Sequence, residues 1–200
     1  MSDVNTTKRG RPGYDQRAIL DIAVAAFNEY GYDATSMGVL AARLDLSKAA
    51  IYHHFSSKEE LLALALDEAL TGLEGVLLEP GALTGSAIDR LAHVLRGAVQ
   101  VLTAKLPSVT LLLRVRGNSD VERQALTRRR AFDRAVSALV VQARGEGSVR
   151  ADIDPRIVTR LVFGMVNSIA EWYRPEGPED AVQLADDVLK LALDGLRTPR

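Results

Sequence analysis

LAARLDLSKAAIYHHF, residues 40–55, holds the pattern on which the reading of the whole chain turns. Leu40, Ala41, Leu44, Leu46 and Ile51 are its apolar or small positions, and most of the others are polar. Two short helices meeting near a right angle need this arrangement. A small residue, Ala41, sits where the second helix crosses the first, a residue tolerant of left-handed backbone stands at the corner, and apolar residues pin the pair together. Glycine is usual at the corner. Asp45 stands there instead, and aspartate enters the left-handed region more readily than most residues, at a cost. The pattern is a helix-turn-helix. Its second helix would enter a DNA major groove. Ile51 and Phe55 then face inward, while Lys48, Ala49, Tyr52 and His53 lie outward. Tyr52 can offer its hydroxyl to phosphate, and His53 can donate to phosphate or base acceptors. Lys58, in the first turn of the following helix, favours a phosphate. His54 is left to pack between helices.

Outward from this stretch, capping residues mark the elements. Asp15 opens a helix that Gly31 ends, and Thr35 or Ser36 caps the next. Ser47 caps the second helix of the pair, and Ser57 with Glu60 has the spacing of a capping box at the head of a longer helix. LLEPGALTGS breaks the pattern. An amphipathic helix over about 86–105 follows, then a short apolar segment after Pro107 and a charged helix from Ser119, where Glu122 again completes a capping box. RGEGSVRADIDP is a second break. Asp154 before Pro155 starts another helix, which ends at WYRPEGP, and Pro178 with Glu179 starts the last. No segment alternates like a strand. The expected fold class is all-α, with about nine helices. Residues 1–14 form a polar arm with too little apolar surface to order itself. Its Arg9 and Arg11 are candidates to reach the minor groove beside the site.

Composition excludes several functions. The 200 residues contain no cysteine, which removes disulfides, zinc–thiolate sites and thiol nucleophiles. A formal net charge of −1 means that DNA binding must rest on a local patch. The N-terminus lacks a secretory pattern, and the densest apolar run, LPSVTLLLRV, is too short for a bilayer. A soluble cytoplasmic protein with no membrane partner is expected. His53 and His54 point about 100° apart on a helix, and His93 is distant, so no metal site is expected. No Ser-His-Asp ordering, phosphate loop or HExxH pattern is present, and Glu59–Glu60 and Asp186–Asp187 are expected at helix starts or on exposed faces with no polar partner to tune them. Neither catalytic residues nor a cofactor are expected.

FNEYGYDATSMGVLAARLDLSKAAIYHHFSSKEELLALAL, residues 27–66, resembles the DNA-binding domain of the tetracycline-repressor (TetR) family of bacterial regulators. YGYDATS, LAARLDLSKAAIYHHF and SKEELL carry the resemblance, which covers about residues 15–66. It implies that Ser47, Lys48, Ala49, Tyr52, His53 and Lys58 contact DNA, and that Thr35 touches phosphate at the start of its helix. It also implies a non-catalytic regulator with a larger helical domain for dimerisation and inducer binding. The expected domains are the arm 1–14, a three-helix helix-turn-helix domain over 15–58, and a ligand-binding and dimerisation domain over 59–200.

In that larger half, the last two helices look apolar over more than one stripe, which a homodimer would bury. Val158, Leu161, Met165, Ile169, Trp172, Val188, Ala192 and Leu196 are the expected interface. An apolar inducer pocket is expected from Leu95, Val99, Leu102, Leu112, Phe132, Val136, Phe163 and Val166. Arg123, Arg128, Arg129, Arg130 and Arg134, with Arg114 and Arg116 upstream, concentrate positive charge. Such a cluster suits an anionic group, the phosphates of an acyl-coenzyme A being the candidate. WYRPEGP and RADIDP also resemble TetR-type regulators that sense acyl-coenzyme A thioesters. The expected function is a dimeric repressor released from double-stranded operator DNA by a largely apolar ligand. The alternative is a helical carrier of an apolar ligand whose helix-turn-helix no longer binds DNA.

Overall fold

The computed structural model describes residues 15–197. Among these the chain is helical throughout, with ten helices and, in place of any strand, one isolated bridge between Val149 and Arg197. It divides into two compact units between Leu61 and Leu62, inside a helix rather than at its start.

The first unit holds α1 (Gln16–Tyr30), α2 (Met37–Leu44), α3 (Lys48–Tyr52) and the first turn of α4 (Lys58–Leu78). Each begins on a side chain that accepts an otherwise unpaired backbone N–H. Asp15 accepts from Ala18, Ser36 from Val39, Ser47 from Ala50 and Ser57 from Glu60, at 2.7–3.2 Å. The Glu60 carboxylate reaches back one residue further than a capping box requires. It takes both the backbone N–H and the hydroxyl of Ser56, whose hydrogen bonds hold it below the usual carboxylate range. At the corner, Asp45 is left-handed (φ 52°, ψ 41°). Its N–H and that of Leu46 close α2 onto the carbonyls of Ala42 and Ala41, the pairing of a Schellman motif. Ile19, Ala23 and Phe27 of α1, Leu40 and Leu44 of α2, and Ile51 and Phe55 are buried together in this unit. Each large side chain so buried contributes about 1.5–3 kcal/mol. Ile51→Ala would cost about 2–5 kcal/mol and free α3.

The second unit contains the rest of α4, α5 (Pro80–Leu83), α6 (Ala87–Ala104), α7 (Leu106–Arg114), α8 (Asp120–Gly145), α9 (Pro155–Trp172) and α10 (Ala181–Leu196). The single turn α5 lies in the segment read as a plain break: Pro80, with its fixed φ, starts a turn after extended Glu79. α6 is the central element, packing against α5, α7, α8, α9 and α10. α4 crosses it closely, because Gly97 of α6 leaves room for Val76 and Gly72 of α4 leaves room for Val101. A Cβ on Gly97 would lie 2.4 Å from the Val76 side chain. Glu122, in the first turn of α8, is buried and accepts backbone N–H groups from Arg116, Gly117 and Asn118. One carboxylate thereby fixes the loop between α7 and α8. α10 starts later than its proline suggests, because Asp180 supplies the cap, accepting from Val182 and Gln183.

Candidate nucleic-acid interface and ligand groove

The short α3 separates its faces cleanly. Ile51 is wholly buried and Phe55 nearly so, while Ser47, Lys48, Ala49, Tyr52 and His53 are exposed. Tyr52 is 50% exposed. The His53 ring stands edge-on to that of His54, which is half-buried. The arrangement offers hydroxyl, ammonium and imidazole groups along one edge about two turns long, on a helix held from behind by its two apolar anchors.

Two expected DNA contacts are committed elsewhere. Thr35 is fully buried, and its hydroxyl donates to the Gly31 carbonyl at 2.8 Å. Ser36, not Thr35, caps α2, which leaves Thr35 to tie the end of α1 to the loop. The Lys58 ammonium donates to the Tyr32 carbonyl at 2.9 Å and lies 4.1 Å from the Tyr32 ring centroid. Tyr32 in turn packs edge-on against Phe27. Lys58 thus closes the loop after α1. Arg9 and Arg11 lie outside the described residues.

In the second unit the expected pocket is filled. Leu95, Val99, Leu102, Leu112, Phe132, Val136 and Val166 are all buried. The space bounded by Leu102, Leu112, Phe132 and Val166 is about 30 Å³, room for a water molecule at most. Its side chains pack against one another because α6 is covered on several sides. A larger space of about 750 Å³ lies instead between α8 and α9. Ala138, Val141, Phe163 and Gly164 supply its apolar lining, and Arg129, Arg130, Arg134, Arg156 and Arg160 its charge.

The arginine cluster read from the sequence is therefore divided. Arg123 pairs with Asp120 at the head of α8. Arg128 turns to α4, with paired hydrogen bonds of 2.8 and 2.7 Å to Glu74 and one of 2.7 Å to Asp67. Only Arg129, Arg130 and Arg134 line the groove, where Arg156 and Arg160 of α9 join them. Arg156 is paired with Asp154. Among the described residues, Arg130 and Arg160 make no hydrogen bond or ion pair, and Arg129 and Arg134 have only the electrostatic influence of Asp133. Burial pushes the Asp133 carboxyl up, and the two arginines pull it back. Arg156 and Arg160 were missed because they lie on another helix. Their spacing of four, with Phe163 and Gly164 just beyond, was the available signal.

The expected dimer face is also rearranged. Val158, Ile169, Val188, Ala192 and Leu196 are buried within the single chain, several of them in the core around α6. Met165 is half-buried, and Leu161 and Trp172 are exposed. Ile157 and Leu191 join them at the surface, with Leu161 66% and Leu191 71% exposed. Gly164 and Gly195 lie bare on the same helices, with open space where a side chain would stand. The apolar arcs are wide enough to have two sides, and α6 takes one of them.

Residues 19–65 match the tetR family of bacterial regulatory proteins, and residues 84–196 match the tetracyclin repressor-like C-terminal domain. The chain belongs to the TetR family. A solved member of the TetR transcriptional regulator family from Streptomyces coelicolor A3 is 52% identical over 90% of this chain and 91% of that one, with a TM-score of 0.85. The HTH-type transcriptional repressor KstR2 of Rhodococcus jostii is 26% identical over 99% of this chain and 97% of its own length. The regulator AibR, solved with isovaleryl coenzyme A and operator DNA, is 25% identical over 89% of this chain and 97% of that one, with a TM-score of 0.75. As a TetR-family protein the chain is a DNA-binding transcriptional regulator, in a family that is not one of enzymes. Its helix-turn-helix is α2 and α3, with α3 as the recognition helix. No helix among the described residues is long and apolar enough to cross a membrane, and no cluster there could hold a metal ion.

Proposed function

We propose that this TetR-family chain is a cytoplasmic, homodimeric repressor released from its operator by an amphipathic anion of the acyl-coenzyme A class. The groove between α8 and α9 carries the reading of the ligand. It sets four arginines without a salt-bridge partner beside an apolar lining. Unpaired guanidinium groups favour phosphate, which they bind through paired, charge-assisted hydrogen bonds. The adjoining Phe163, Ala138 and Val141 suit the acyl part. The isovaleryl coenzyme A bound by AibR supports the same ligand class.

In this proposal residues 1–14 are the arm, 15–58 the DNA-binding domain and 59–200 the ligand-binding and dimerisation domain. Ser47, Lys48, Ala49, Tyr52 and His53 face the major groove, and Arg9 and Arg11 follow the minor groove. Two half-sites require two recognition helices. The exposed Ile157, Leu161, Trp172 and Leu191, with Gly195 admitting close approach, are the surface for the second copy. A ligand releases DNA only if it binds the released state more tightly than the DNA-bound one. Taking the population from 1:99 to 99:1 needs about 5.5 kcal/mol of such preference. The exposed polar edge of α3 argues against a carrier that has abandoned DNA.

Calorimetry with octanoyl-coenzyme A and with octanoate tests the ligand class. The thioester should bind and the free acid should not. Arg130→Gln and Arg160→Gln should each weaken binding about 10- to 100-fold, the worth of one charge-assisted hydrogen bond. Equal binding of thioester and acid, or binding of neither, removes the reading. Mobility-shift titration of the DNA complex with the same thioester then tests release.

A further inference from the structure

We infer that the Phe163 ring is a movable partition between the arginine groove and an apolar chamber behind it, and that residue 163 sets the acyl-chain length that the protein senses. This deepens the proposed function and rests on the groove being a coenzyme A thioester site.

The two spaces in the second unit share part of their walls. Arg129, Asp133, Phe163 and Asn167 border both the open groove and the smaller chamber. Across that border the chemistry changes. Arg130, Arg134 and Arg160 lie on the groove side alone, whereas Leu102, Leu112, Phe132 and Val166 wall the chamber alone. A ligand with an anionic head and an apolar tail matches that order of environments. Phe163 is the apolar member of the border between them.

Phe163 is also the member of the border that can move. Its ring meets that of Phe132 edge-on, centroids 5.5 Å apart and planes at 87°. Phe132 is almost wholly buried and belongs to the core. Phe163 is only half-buried, and the neighbouring Gly164 puts no side chain over the groove. An edge-on aromatic pair contributes about 0.5–1.5 kcal/mol beyond its burial, less than a bound acyl chain can offset, so the ring can swing toward the groove while Phe132 stays. In the closed arrangement the chamber of about 30 Å³ holds no chain. An apolar cavity of about 150 Å³ stays dry and accepts a benzene-sized guest. Removing the ring beside the chamber therefore makes room for several methylenes. Each methylene taken from water into such a space strengthens binding about fourfold. A methylene left in the open groove gains less.

The test is calorimetry of butyryl-, octanoyl- and dodecanoyl-coenzyme A on the full chain and on F163A, F163L and F163W, with melting curves for each. The dodecanoyl-to-butyryl affinity ratio should rise at least tenfold in F163A, rise in the same direction but less in F163L, and fall in F163W. If F163A fails to fold, the F163L and F163W pair decides. A ratio that stays at the wild-type value in the folded variants overturns the partition. If the thioesters still bind through Arg130 and Arg160 in that case, the groove survives as the ligand site and the partition alone falls. If no thioester binds the wild-type chain, the reading of the groove fails and the partition fails with it.

Discussion

Arg128→Met should weaken the second unit by about 1 kcal/mol, a value set by how the guanidinium is held. Arg128 presents its fork to Glu74, adds Asp67 at 2.7 Å and reaches Thr71 at 3.3 Å. These bonds raise the Arg128 pKa and hold the Glu74 carboxyl below its ordinary value. All three charged side chains are at least a third exposed, however. Water screens them, so the paired geometry brings the interaction to the upper end of the 0.2–1 kcal/mol measured for exposed pairs and no further. Methionine keeps the apolar stem and removes the charge, leaving Glu74 and Asp67 to repel each other. For a chain of this length the melting temperature should fall about 2–4 °C. A double-mutant cycle with Glu74→Gln isolates the pair. The native state lowers the Glu74 pKa, so it binds fewer protons there than the unfolded chain does. The contribution is therefore present above the ordinary carboxylate range and is lost as pH falls through the lowered native value. Wild-type and variant stabilities should converge as pH falls through that lowered value, and high salt should shrink the difference. Strict additivity in the cycle, with a constant gap between the curves from pH 7 to 3, would refute the reasoning.

Thr35→Val should lower stability by about 1–2 kcal/mol, the worth of a buried hydroxyl donating to a carbonyl, while leaving the affinity for operator DNA unchanged. Weaker operator binding at fixed salt with stability unchanged would instead return Thr35 to a phosphate. Lys48→Ala should do the reverse, since its ammonium is exposed on the outward edge of α3. Its melting temperature should stay put and the log–log salt slope should drop by about 0.9. A thermal shift with an unaltered slope would make Lys48 a structural residue.

Local physics was enough for the frame of this protein. Small hydroxyl and carboxylate side chains before apolar-periodic runs marked helix starts, and Ser36, Ser47 and Ser119 do cap there. Asp45 was legible as the corner, and it takes the left-handed conformation that the corner requires. The alternation of faces along Lys48–Phe55 was legible for the same reason, because helical spacing alone decides which side chains share a face. Where each side chain spends its hydrogen bonds was not legible. Thr35 and Lys58 have the chemistry of phosphate ligands, yet both serve the loop after α1, through partners as distant as 26 residues in the case of Lys58 and Tyr32. Arg128 and Arg129 are adjacent in sequence but point to different partners, one toward α4 and the other into the groove.

Thus the chain's own order of residues determined the helices, their caps and the outward edge of α3, because these depend on neighbours within a turn or two. Only the tertiary structure decided that the expected pocket is packed core, that five arginines from two helices share one groove, and that five of the eight expected dimer-face residues are buried within the chain. Those outcomes depend on how wide apolar arcs are divided between competing neighbours. A periodic pattern gives the width of an arc, and packing alone assigns its two sides.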